Sequence, residues 1–156
     1  MPFQYVEFMT KLMAPRPYPP LPNFDPPQLT PLRRPIAEAT IGLFSSAGVQ
    51  LPTEPLLAET NDLSYRLIDR KTPLSDLILS HKTPVRIWAE EDLNVAFPRD
   101  RLAELESQGT IGRLAPRAVS MVGSITRYTE LIEKTVPAIK EEFSSQGVDL
   151  VFLFPL

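Results

Sequence analysis

Apolar residues fall along this chain in two arrangements: short unbroken runs, and one long series at steps of three and four. Unbroken runs closed by Gly, Asp or Ser read as buried strands, whereas a three-and-four series reads as a helix with one buried stripe. Leu150 to Phe154, entered through Gly147 and Asp149, is therefore expected to be a strand buried on both faces of a parallel sheet, central rather than peripheral. Ala39-Thr40-Ile41-Gly42-Leu43-Phe44 gives a first strand, closed by the small residues Ser45-Ser46-Ala47-Gly48. Val85 to Ala89 reads as a further strand, Asp62 to Ile68 as a short strand or extended piece, and Ser75 to Ser80 as a short element. Ile111 to Pro116 is a loop or short strand, and Ala118 to Gly123 another brief apolar piece.

Three stretches have helical spacing. Val6, Met9, Leu12 and Met13 predict a short amphipathic helix over residues 3–13, read as a cover for the core. Arg99 to Gln108 carries Leu102 and Leu105 among charged residues and stops at Gly109, a glycine C-cap. Ile125, Tyr128, Leu131, Ile132, Val136, Ile139 and Phe143 form the longest stripe; Pro137 inside it predicts a kink or two abutting helices. Between residues 15 and 35 nine prolines fix φ and remove amide donors, which makes this stretch an extended surface arm. The expected architecture is α/β: a mostly parallel sheet flanked by helices (residues 36–156), preceded by an N-terminal helix and proline-rich arm (residues 1–35).

Composition narrows the function. The net charge of −3 is spread over interspersed acidic and basic residues, so no basic field invites nucleic acid. Cysteine is absent, which removes disulfides, thiolate metal sites and a thiol nucleophile from these residues. A single histidine without cysteines makes no usual zinc cluster, so a structural metal is not expected; no cofactor is expected either. Glu7 and Lys11 interrupt the first residues before any long apolar core, so neither a secretory signal nor a membrane span is expected, and the chain is read as cytoplasmic.

Candidate chemistry sits where α/β sheets gather ligands, beyond the carboxyl ends of strands. The Ser45-Ser46 loop either presents amides and hydroxyls to an anionic group or is a plain strand-to-loop turn. His81, in Ser80-His81-Lys82-Thr83-Pro84, is either a general acid or substrate ligand or an exposed loop residue. Glu90-Glu91-Asp92 reads as a solvated turn, because adjacent residues in an extended chain point to opposite faces and make no acid–base dyad.

Three blocks together resemble one family: Thr30 to Val49, then Asp92 to Leu102 with Gly112 to Pro116, then Gly147 to Pro155. Their order and wording are similar to the selenoprotein B component of the glycine, sarcosine, betaine and D-proline reductases. The resemblance implies reductive cleavage of a C–N bond in a small amino-acid-like substrate, then transfer of a carboxymethyl group to a selenol on a partner protein. It implies a selenocysteine or cysteine directly after the final strand, a position that falls one residue past Leu156. The chain is then the amino-terminal part of a larger two-part protein, through a selenocysteine codon read as a stop or as a split subunit, and inactive alone. Ser45, Ser46, His81, Asp92 and Asn94 are the expected substrate contacts; the partners are other reductase subunits or the missing carboxyl-terminal half, with the assembly an oligomer. The alternative is a noncatalytic binding or assembly module that keeps the fold without the nucleophile.

Overall fold

Strand β1 (Thr40–Ser45) is the axis on which the other elements are placed. The computed structural model describes residues 30–83 and 86–156, with isolated positions Lys11, Ala14, Asn23, Asp25 and Pro26. The helix expected over residues 3–13 and most of the proline-rich arm lie outside the described residues. The elements that follow are β2 (Val49–Gln50), β3 (Arg66–Asp69), β4 (Ile78–Leu79), α1 (Arg86–Glu91), α2 (Arg99–Ser107), β5 (Arg113–Leu114) and β6 (Arg117–Ser120). Helix α3 (residues 128–145) and β7 (Leu150–Phe154) complete the chain.

On one side of β1 lies β7, parallel, with Ile41 opposite Leu150 and Ser45 opposite Phe154. On the other side β5 pairs with Thr40 and Ile41, and β6 with Phe44 and Ser45, both parallel. From Ile41–Leu114 to Phe44–Val119, β1 advances three residues while its neighbour advances five. The surplus is a bulge at Ala115-Pro116, where proline has no amide to give the ladder. Strand β3 continues the sheet antiparallel to β6, and β2 pairs with β4 antiparallel in a separate small sheet. The sheet is thus mixed rather than mostly parallel. The half-buried β3, with Ile68 inward and Asp69 outward, has the alternation that suits an antiparallel strand with one wet face.

Two apolar cores flank β1. Ile41 and Leu43 pack with Phe97 and Leu102 on one face, and Phe44 packs with Ile139 and Phe143 of α3 on the other. Leu43 and Phe97 are wholly buried, each stabilising the fold by about 1.5–3 kcal/mol through area removed from water. Gly42 lets α3 approach, because a Cβ there would lie 2.8 Å from the Phe143 ring.

Three further expectations are corrected. First, β7 is an edge strand among the described residues, not a central one, and Leu153 is 67% exposed. Its apolar run matches a doubly buried strand, but among the described residues only β1 pairs with it. Second, the strand expected at Val85 to Ala89 is helix α1 from Arg86 onward, closed by an Arg86–Glu90 pair one turn apart. Only Ala89 of α1 is buried, while Ile87 and Trp88 face outward, so the apolar run there reports exposure rather than a sheet position. Third, Ile132 and Val136 of the long stripe are exposed; the buried line is Leu131, Thr135, Ile139 and Phe143. A wide π-helical turn, Leu131–Thr135, precedes Pro137 and holds that four-residue step in line with the core. The same widening accommodates the proline ring and its missing donor within one continuous helix.

Helix α2 follows expectation. Gly109 has φ +70°, and the Thr110 amide donates to the Leu105 carbonyl at 2.9 Å, closing the last turn. Glu106 ties this helix to the sheet: it accepts from the Leu114 amide and pairs with Arg70 at 2.6 Å, and that guanidinium holds its carboxyl below the usual carboxylate range. No helix among the described residues is long and apolar enough to cross a membrane.

Candidate functional site

The carboxyl ends of β1, β6 and β7 meet at one rim. The parallel pairing puts Ser45 beside both Ser120 and Phe154. Beyond it, the Ser46 amide donates to the Phe154 carbonyl at 3.1 Å, and the Leu156 amide donates to Ser46 Oγ at 3.0 Å. The chain therefore leaves β7 against the Ser46 hydroxyl. On the opposite flank the Gly123 amide donates to the Ser46 carbonyl at 3.0 Å. A side chain at Gly123 would press on Ser46 Cβ and Oγ, both 3.0 Å from the Cβ position.

Ser45 points to the other face of β1. Its hydroxyl donates to the Ala96 carbonyl at 2.7 Å and accepts from the Ala47 amide at 3.2 Å, both bonds fully buried. Through Ala96, the turn over residues 92–97 is fastened beside the end of β1. Phe154 and Leu156 pack onto the core that Ala96 and Phe97 share, so the end of β7 closes over the same place.

Within that turn, Asp92 Oδ1 accepts from both the backbone and side-chain amides of Asn94 at 2.9 Å. These bonds from Asn94 hold the Asp92 carboxyl below its usual range. Asn94 Oδ1 in turn accepts from the Asp100 amide at 3.2 Å, supplying a partner to the start of α2. Asp92 and Asn94 thus fix the entry to α2, and Asp92 also borders a cavity of about 460 Å³ between β4 and α1. Neither that cavity nor an apolar cleft of about 520 Å³ between α3 and β7 includes Ser45, Ser46, His81 or Asn94.

His81 reaches the rim from the end of β4. Its amide donates to the Ala47 carbonyl at 3.3 Å, next to Gly48, whose φ is +66°. Gly48 is required here twice over: the positive φ disfavours a side chain, and a Cβ would lie 3.0 Å from Val122. Nδ1 of His81 is buried with no hydrogen-bond partner among the described residues. Burial lowers the pKa of the ring, favouring the neutral imidazole with one donor and one acceptor.

Of the five expected contacts, the structure brings Ser45, Ser46 and His81 to the end of β1 and places Asp92 and Asn94 in the adjoining turn. Sequence reasoning missed Gly123 and Ser120, whose hydroxyl accepts from the Val49 amide at 2.7 Å. The signal was present: Ala118 to Gly123 repeats the pattern of β1, an apolar run closed by small residues.

The family model for glycine/sarcosine/betaine reductase selenoprotein B matches residues 6–155. The chain belongs to that family. The D-proline reductase subunit gamma of Acetoanaerobium sticklandii is 29% identical over 133 residues, covering 85% of this chain and 55% of its own. The glycine reductase complex component B subunit gamma of Carboxydothermus hydrogenoformans is 30% identical over 139 residues, covering 86% of this chain and 32% of its own. The chain thus spans about half the length of the first relative and about a third of the second. No solved structure matches it.

Proposed function

We propose that this chain is part of a reductase component that cleaves a C–N bond in glycine, sarcosine, betaine or a proline-like substrate, with the rim around Ser46 forming one wall of the pocket. The observation that carries this reading is the Leu156 amide on Ser46 Oγ: whatever follows β7 emerges at the rim. A selenol or thiol placed just beyond Leu156, or brought by another subunit, would then act beside Ser46 and His81. The chemistry needs such a group, because attack on the carbon bearing nitrogen forms a new bond to carbon as the C–N bond breaks, the electron pair leaving with the amine and the proton of the selenol or thiol passing to that amine or, for quaternary betaine, to solvent. These 156 residues contain no cysteine to supply it.

Hydrogen-bond accounting divides the five polar residues. Ser45, Asp92 and Asn94 spend bonds inside the fold and position the 92–97 turn. Ser46, whose hydroxyl meets the chain leaving β7, and His81, whose Nδ1 lacks a described partner, are the proposed direct contacts.

Reconstitution tests the reading. Combined with the remaining polypeptides of a reductase complex, the chain should support dithiol-dependent release of amine from glycine, sarcosine or betaine, or ring opening of D-proline. Ser46→Ala and His81→Ala should each reduce that turnover. Assembly with no turnover on any of the four substrates would replace it with the noncatalytic assembly module.

A further inference from the structure

Strand β7 presents an unfinished sheet edge. Its Phe154 carbonyl faces β1, so by strand alternation the N–H and C=O groups of Val151 and Leu153 face away from it. Among the described residues β7 pairs with β1 alone. Both faces of the strand are also apolar and half open: Leu150 and Phe152 on one, Leu153 on the other. No charged residue interrupts Leu150 to Phe154, and a long apolar edge of this kind pairs with another strand unless it is covered. The apolar cleft between α3 and β7, lined by Val136, Phe143, Val151 and Leu153 among others, adjoins the same edge.

We infer that this edge seats an apolar β-strand from the portion of a reductase component that the longer relatives carry outside the stretch matched here. The inference rests on the reductase reading for the identity of the occupant. The curated relatives exceed the matched segment in length, since the chain covers 55% of one and 32% of the other, so each carries further polypeptide. The occupant has to satisfy the outward amides and cover the half-open faces at Phe152 and Leu153; a second copy joined edge to edge is the competing occupant, which the cross-link distinguishes. A strand with its own flanking helices covers both. Pro155, the next outward position, has no amide donor, so the added ladder ends there, at the rim that holds Ser46. The occupant would thereby reach the candidate pocket and complete its open side.

A photocross-linking residue in place of Leu153, 67% exposed, tests this in cells that make the whole reductase complex. The expected result is a cross-link to a peptide of a selenoprotein B-family component lying outside the matched stretch. A cross-link to β7 of a second copy, to residues 1–29 of the same chain, or to nothing, overturns the inference. A second variant, Leu153→Lys, places a charge on the covered face and should lower reconstituted turnover by about tenfold or more. If the unmodified chain supports turnover and Leu153→Lys matches it, the edge assignment falls and the reductase reading stands. If the cross-link forms but no turnover is seen, the reductase reading falls and the edge assignment stands.

Discussion

Strands β1 and β7 face each other in register over five residues and carry nearly the same kind of sequence, yet Leu43 is wholly buried and Leu153 is 67% exposed. Each strand has the other on one side. Strand β1 also has β5 and β6 on its second side, α3 over one face and the α2 core over the other. Strand β7 has none of the first and only part of the second and third. An apolar run therefore specifies that a strand forms; its neighbours decide how much of that strand leaves water.

The largest expected effect measures this contrast directly. Leu43→Ala should destabilise the chain by about 2–5 kcal/mol, the cost of emptying a packed site, in a urea titration. Leu153→Ala should stay within about 0.5 kcal/mol in the same titration, as an exposed position does. Equal losses at the two positions would break the comparison, because they would mean that β7 is buried in solution as β1 is.

Much of this architecture was legible because local rules and tertiary placement agree. The run of β1 with its small closing residues and the Gly109 stop of α2 each have a local physical signature, whereas of the helix around Pro137 only its existence was legible, not its continuity or which residues of its stripe are buried. The mixed sheet was not legible, since strand direction depends on the path of the chain and not on periodicity. The edge position of β7 was hidden for a related reason: its sequence suits a strand with more neighbours than the described residues supply. At the site, Ser46 and the end of β7 could be placed together because parallel neighbours bring their carboxyl ends to one rim. The work of Asp92 and Asn94 was hidden by reading the acidic triplet as a unit. The informative pattern was Asp92-Leu93-Asn94, an aspartate whose carboxylate receives the amide two residues on.

A smaller effect separates the two serines where the strands end. Ser45→Ala leaves the buried Ala96 carbonyl without its donor and should cost about 1–3 kcal/mol. Ser46→Ala removes an acceptor only from the partly buried Leu156 amide, which water can reach more readily, and should cost about 0.5 kcal/mol. Denaturant titrations of the two variants give the order, and a reversal would mean that the end of β7 holds the rim more firmly than the 92–97 turn does.

The smallest effect is a pH dependence confined to the β1 side. Burial depresses the His81 pKa below the ordinary 6.5, so the folded chain refuses a proton that the unfolded chain accepts. At pH values well above 6.5 both states carry a neutral ring and the residue contributes no slope. As pH falls through 6.5 the unfolded state binds the proton first, so the contribution of His81 to stability declines until its folded-state pKa is reached and then levels. His81→Gln should flatten that part of the stability curve, and the imidazole resonance of the unmodified chain should titrate with a midpoint below 6.5. Leu153→Lys, on the outer strand, should leave the midpoint unmoved, because β1 and its closing loop stand between the two positions. A shifted midpoint in that variant would show that the edge and the rim respond as one unit, and the distinction between a closed β1 end and an open β7 edge would then fail.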